Sequence, residues 1–120
     1  MHGPHHDVIG ELRQPSRELR DQIPGVWNAF GQLHKEAVAD GALPGHIKEL
    51  IALAISVVDG CDGCIAYHAR GAAHKGASEQ EAAEALGVTL LMAGGPATIW
   101  GPRALEAFRE FKATAPEAVG

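Results

Sequence analysis

The chain is expected to be an all-α protein. Apolar residues recur at three- and four-residue intervals over most of its length, proline and glycine divide it into segments of helical size, and no alternating apolar-polar run long enough for a strand occurs. Its 120 residues fit one domain, and a 46% hydrophobic content supplies an ordinary globular core. No internal repeat or low-complexity segment interrupts it.

Residues 1–6, with three histidines, a glycine and a proline, read as a mobile tail without periodicity. Val8 to Ile23 is amphipathic but carries Pro15, which predicts two short helical pieces, the second capped by Ser16 with Leu19 and Ile23 facing inward. Pro24 opens a helix through Ala39, with Val26, Trp27, Phe30, Leu33, Ala37 and Val38 on its apolar side and Asp40-Gly41 ending it. After Pro44, the residues Ile47, Leu50, Ile51, Leu53, Ala54, Ile55, Val57 and Val58 surround the next helix so completely that it is expected to be the buried spine of the fold.

A further helix runs from about Cys61 to Lys75 and stops at Gly76, which suits a left-handed cap. Ser78-Glu79-Gln80-Glu81 forms a capping box for a helix from Glu79 to about Ala93. Gly94-Gly95-Pro96 breaks the chain, Gly101-Pro102 predicts a kink, and Leu105, Phe108 and Phe111 mark the face of a terminal helix. The domain is therefore placed at residues 7–115, with a C-terminal tail from 116 to 120.

Both cysteines lie in Cys61-Asp62-Gly63-Cys64-Ile65-Ala66-Tyr67-His68. On a helix of about 3.6 residues per turn, Cys61, Cys64 and His68 share one face. The same spacing sets the two α-carbons about 5 Å apart, within the range in which a disulfide closes without backbone movement. Asp59-Gly60 reads as a turn into a helix start, where free N–H groups and the helix dipole favour a thiolate.

Glu49 begins an otherwise apolar helix and shares a face with Ala52, Leu53 and Ser56. If the helices on either side of Gly60 fold back on each other, Glu49 and His68 differ in height by only about 4–5 Å, so both can join a proton network with Cys64. Each also has a plainer reading, a solvated first-turn carboxylate for Glu49 and a hydrogen-bonded core imidazole for His68. Cys61, Cys64, His68 and His74 match a zinc set by residue type, but positions 61 and 74 stand about 20 Å apart along an unbroken helix. A three-ligand site completed by another chain stays open; the expectation is no metal and no cofactor.

His34, His46 and His74 read as surface or capping residues. Trp27, Trp100 and Tyr67 read as core or interface aromatics, with Tyr67, beside His68, placed to line a substrate pocket. The Gly94-Gly95-Pro96 break lacks the lysine and the helix-opening hydroxyl of a phosphate loop. A net charge of −5 gives no reason to expect nucleic acid or an anionic membrane as partner. Leu50 to Val58 is far too short to span a bilayer and the first residues lack a signal peptide's apolar segment, so a cytoplasmic location is expected. In that compartment a close cysteine pair points to redox or metal chemistry rather than a structural staple.

Glu49, eleven intervening residues, Cys61-x-x-Cys64-x-x-x-His68, the capped helix at Ser78 and Gly94-Gly95-Pro96 together resemble the alkylhydroperoxidase D-like (AhpD-like) branch of the carboxymuconolactone decarboxylase family, from about Pro44 to Phe111. The resemblance implies a single-repeat helical bundle in which a helix hairpin carries the CxxC pair. It also implies a thiol-dependent peroxidase in which Cys64 is the nucleophile, Cys61 its disulfide partner and exchange point, and His68 and Glu49 the proton relay. A hydroperoxide substrate, a lipoyl or thioredoxin-like dithiol donor and a homo-oligomer, trimer or hexamer, follow from the same resemblance. Disulfide reduction or an adaptor role without peroxidase activity is the redox alternative, and a non-enzymatic metal-binding module the other. The chain departs from the best-known peroxidases at Gly63, where they carry a histidine. The family's true decarboxylases lack the cysteine pair.

Overall fold

The computed structural model describes residues 3–116, and among them there are six helices and no strand. They are α1 (Pro4–Gln22), α2 (Pro24–Ala37), α3 (Gly45–Asp59), α4 (Asp62–His74), α5 (Glu79–Ala93) and α6 (Ala97–Thr114). The expected all-α fold is present. Helices α3 to α6 pack into a four-helix core, α1 lies across α4 and α6, and α2 rests chiefly on α1. The Cα radius of gyration, 14.5 Å, slightly exceeds the roughly 13.5 Å of a compact chain of this length, in keeping with an outlying α2.

Alanine makes up much of the core. Ala66, Ala69, Ala72 and Ala73 of α4 face Ala104 and Ala107 of α6, all buried, so the two backbones approach closely, and Leu53, Val57, Ile65, Phe108 and Phe111 fill the remaining volume. Burial of each phenylalanine contributes about 2–3 kcal/mol.

The α3–α4 hairpin closes through Gly60, whose φ of 66° is left-handed and whose added Cβ would lie 3.2 Å from the Trp100 indole nitrogen. Both requirements select glycine there. Ser78 caps α5 as its sequence predicts: the Glu81 N–H donates to Ser78 Oγ at 3.0 Å and the Ser78 N–H to Glu81 Oε1 at 2.8 Å.

Four expectations need correction. Pro4–His6 form the first turn of α1 rather than a tail, because Glu110 of α6 accepts from the His5 and His6 backbone N–H groups and pairs with the His6 ring, while His5 pairs with Glu106 at 2.8 Å. A distant carboxylate supplies a cap that no local pattern announces. Met1, His2 and 117–120 lie outside the described residues. Pro15 does not split α1: it removes one N–H bond, to Glu11, on an exposed stretch where water can take the freed carbonyl, so Ser16 caps nothing and Leu19 and Ile23 are exposed. Similarly, α6 runs through Pro102.

The fourth correction concerns which apolar faces are covered. No residue of α2 is buried, and Val26, Phe30 and Leu33 stand exposed. On α3, Leu50, Leu53 and Val57 are buried while Ile51, Ile55 and Val58 form an open stripe, so the spine is covered on one side only. Periodicity identifies an apolar face but not the molecule that covers it.

Burial raises the Glu110 pKa, but hydrogen bonds from the His6 backbone and ring and the His5 backbone outweigh it and hold the carboxyl below its ordinary value. A carboxyl depressed on folding stabilises fully above its unfolded pKa, about 4.5, and this contribution is lost as the pH falls from there through the folded value. Thermal melts taken between pH 7 and pH 3 are expected to lose less stability on acidification in Glu110→Gln than in the native chain. Parallel pH profiles would contradict this account of α1.

Candidate active site

The two cysteines form a disulfide with Cα atoms 5.2 Å apart, close to the separation that the CxxC spacing predicts. Cys61 is the N-cap of α4, and its sulfur accepts the Cys64 N–H at 3.2 Å, so the free donors of the helix start serve Cys61. Cys64 sits in the first turn and is exposed, whereas Cys61 is half-buried.

Glu49 is turned inward, 1% exposed, among the apolar side chains of α3 and α4. Its Oε2 lies 3.5 Å from His68 Nδ1, and its Oε1 lies 3.5 Å from His34 Nε2. The solvated reading of Glu49 is thereby excluded. Neither approach has hydrogen-bond geometry, and Glu49 Oε1 and His68 Nδ1 are buried without a hydrogen-bond partner among the described residues. A buried carboxylate with one orphaned oxygen, set between two imidazoles, is placed to accept or pass a proton.

Room for that carboxylate comes from Gly71, where an added Cβ would sit 1.6 Å from Glu49 Oε2. Glu49 and Gly71 are each eleven residues from Gly60, so a hairpin folded symmetrically about that glycine sets them opposite each other. His68, one turn earlier on α4, flanks the carboxylate.

Sequence reasoning missed His34 and Gly71. His34 is exposed, as a surface residue should be, yet α2 carries its ring to the second oxygen of Glu49, with its centroid 5.9 Å from that of His68. Its i+7 spacing from Trp27 is the only local signal, and it does not say which helix α2 will meet. Tyr67 lines a groove against α1 together with Arg70 and Trp27. His74 is exposed at the end of α4, as expected, while His46 pairs with Glu81 at 3.2 Å.

Among the described residues, His34, Glu49 and His68 could hold a metal, since one ligand atom from each lies within 4.8 Å of the others. A tetrahedral zinc shell sets its ligand atoms only about 3.4 Å apart, so the side chains would have to close inward around an ion. As they stand, their spacing suits a proton network better.

The carboxymuconolactone decarboxylase family model matches residues 24–110, from α2 into α6. The chain belongs to this family. Its matched span contains every element of the hairpin and of the Glu49 cluster, α2 with His34 included. An uncharacterized protein of Cupriavidus necator is 38% identical over 100 residues, covering 83% of this chain and 88% of its own length. The protein "Uncharacterized protein 4 in cox locus" of Paracoccus denitrificans is 39% identical over 103 residues, 86% of either chain. Among solved structures, an apo carboxymuconolactone decarboxylase family protein from Legionella pneumophila superposes with a TM-score of 0.86 at 34% identity, over 90% of this chain and 96% of that one. The family includes enzymes, and a cysteine pair at disulfide distance is compatible with redox chemistry. No described helix is long and apolar enough to cross a membrane.

Proposed function

We propose that the protein is a dithiol-disulfide oxidoreductase that reduces hydroperoxides. The observation that carries this reading is the Cys61–Cys64 pair at the turn of a helix hairpin whose interior holds Glu49 between His68 and His34. In the reduced state the Cys64 thiolate, exposed and in the first turn of α4, attacks the terminal peroxide oxygen. The O–O bond breaks, the alkoxide leaves and takes a proton delivered through His68, and Cys64 becomes a sulfenic acid. The Cys61 thiolate then displaces hydroxide from that sulfur, the hydroxide is protonated to water, and the disulfide forms. An external dithiol, such as a lipoyl group or a thioredoxin-like protein, returns two electrons by exchange.

The helix donors at Cys61 make it the better leaving thiolate, so the donor's attack on the exposed Cys64 sulfur is favoured over exchange at Cys61. Glu49 orients His68, with His34 as a second proton carrier on the opposite oxygen. Thiol titration at neutral pH is expected to find a smaller thiolate fraction in Glu49→Gln than in the native protein. An unchanged fraction removes Glu49 from the relay.

A second reading rests on Gly63. Where the related peroxidases carry a histidine, the backbone here faces Leu12 of α1, which would lie 3.2 Å from an added Cβ. With that relay position filled by an aliphatic contact, the dithiol can serve as a disulfide reductase or adaptor to another peroxidase. Rapid exchange with a partner disulfide, together with inertness to peroxide, supports that form.

We also propose that the chain works as a homo-oligomer, a trimer or hexamer, in the cytoplasm. The uncovered stripes Val26-Phe30-Leu33 on α2 and Ile51-Ile55-Val58 on α3 leave large apolar side chains in water, the kind of surface that a contact between copies covers. Light scattering is expected to give a multiple of the chain mass, and Phe30→Glu with Ile55→Glu to give monomers. A native monomer at micromolar concentration contradicts this assembly.

A further inference from the structure

The chain carries fifteen acidic residues against ten lysines and arginines, yet four of its six arginines meet in one place. Arg13, Arg17 and Arg20 lie on one side of α1, within an arc of about 60°, and face Arg70 of α4 across a groove of about 230 Å³. Trp27 of α2 and Tyr67 of α4 complete its walls. Arg70 stacks over the Tyr67 ring, 5.2 Å from its centroid, which holds the guanidinium at the groove edge. Arg20 pairs with Asp21 at 3.5 Å, and Glu18 is hydrogen-bonded by Gln14. Arg13, Arg17 and Arg70 make no ion pair among the described residues.

Like charges one helical turn apart, as at Arg13 and Arg17, disfavour a helix unless an anion sits between them. Guanidinium forks match carboxylate and phosphate oxygens two at a time, and the two aromatic rings offer flat apolar contact beside them. We propose that this groove is a binding site for a small organic polyanion, a molecule with two or more carboxylate or phosphate groups on a planar or apolar body. A volume of about 230 Å³ lies just below the roughly 300–1,000 Å³ of ordinary ligand sites, which limits the occupant to a small metabolite. Tyr67 lies one turn beyond Cys64 on α4, so a molecule held there is a neighbour of the dithiol, but binding itself does not require the redox reading.

Calorimetry on the full chain at low ionic strength, where charge contacts are least screened, tests the site. The probes are trimellitate (an aromatic tricarboxylate), benzoate and inorganic pyrophosphate. Trimellitate is expected to bind roughly tenfold or more tightly than benzoate, and Arg13→Gln with Arg17→Gln to remove about that tenfold advantage. Trp27→Leu should narrow the preference for trimellitate over pyrophosphate, because the inorganic ion has no ring to stack. Equal binding of trimellitate and benzoate overturns the proposal, as does native affinity in the double arginine variant. Light scattering on that variant separates the remaining case: an unchanged mass with lost binding supports a ligand site, whereas loss of the oligomer assigns the arginines to a contact between copies and overturns it.

Discussion

Gly71→Ala is expected to lower turnover by about a hundredfold or more while leaving the disulfide able to form. The added methyl would occupy the position of a Glu49 carboxylate oxygen, 1.6 Å from it, which no rotation of the methyl relieves. Either α3 and α4 move apart, at about 1–3 kcal/mol for overpacking, or Glu49 swings away from His68. Both outcomes disconnect the relay, and loss of a positioned acid-base group costs about 10²–10⁴ in rate. The discriminating readout is the pair of measurements. A fall in Tm with native turnover would mean that the carboxylate is only packing, whereas native turnover and a native Tm would place Gly71 away from Glu49 altogether.

The largest effect is expected at the cysteines, and it differs between them. Cys64→Ser should abolish peroxide consumption and give no mixed disulfide with a thiol donor, since the exposed sulfur is the one attacked and attacking. Cys61→Ser should instead accumulate a mixed disulfide on Cys64, because no second thiol remains to resolve it. Mass spectrometry of the peptide spanning residues 61–68 after incubation with a small thiol and its disulfide reads both results. Accumulation on Cys61 in the Cys64→Ser protein, with none in Cys61→Ser, would reverse the two roles.

Much of this site was legible in the sequence, because local geometry governs it. The i, i+4 pair Cys64 and His68 needs only a helix, while Cys61, expected inside that helix, is its extended N-cap and meets Cys64 through the cap geometry; the inward turn of Glu49 follows its place on a stripe with Leu53 and Ser56. The capping box at Ser78 and the boundaries of α5 were likewise local. Contacts made across the fold were not legible. Glu110 lies more than a hundred residues from the α1 start that it caps, and His34 reaches Glu49 only because α2 returns over the hairpin. Gly71 was hidden for another reason: a glycine inside a helix weakens it locally, and its purpose is visible only once the opposing carboxylate is in place. Faces that remain open, on α2 and α3, read as core because sequence periodicity does not distinguish a chain's own interior from a contact with another chain.

Reduced protein mixed rapidly with one equivalent of an organic hydroperoxide, followed by thiol counting and peptide mass, tests the peroxidase dithiol most directly. The account predicts two thiols lost for each peroxide consumed, with the 61–68 peptide lighter by two hydrogens and no oxygen retained. Both thiols surviving the peroxide, or a Cys64 carrying stable oxygen beside a free Cys61, would contradict it.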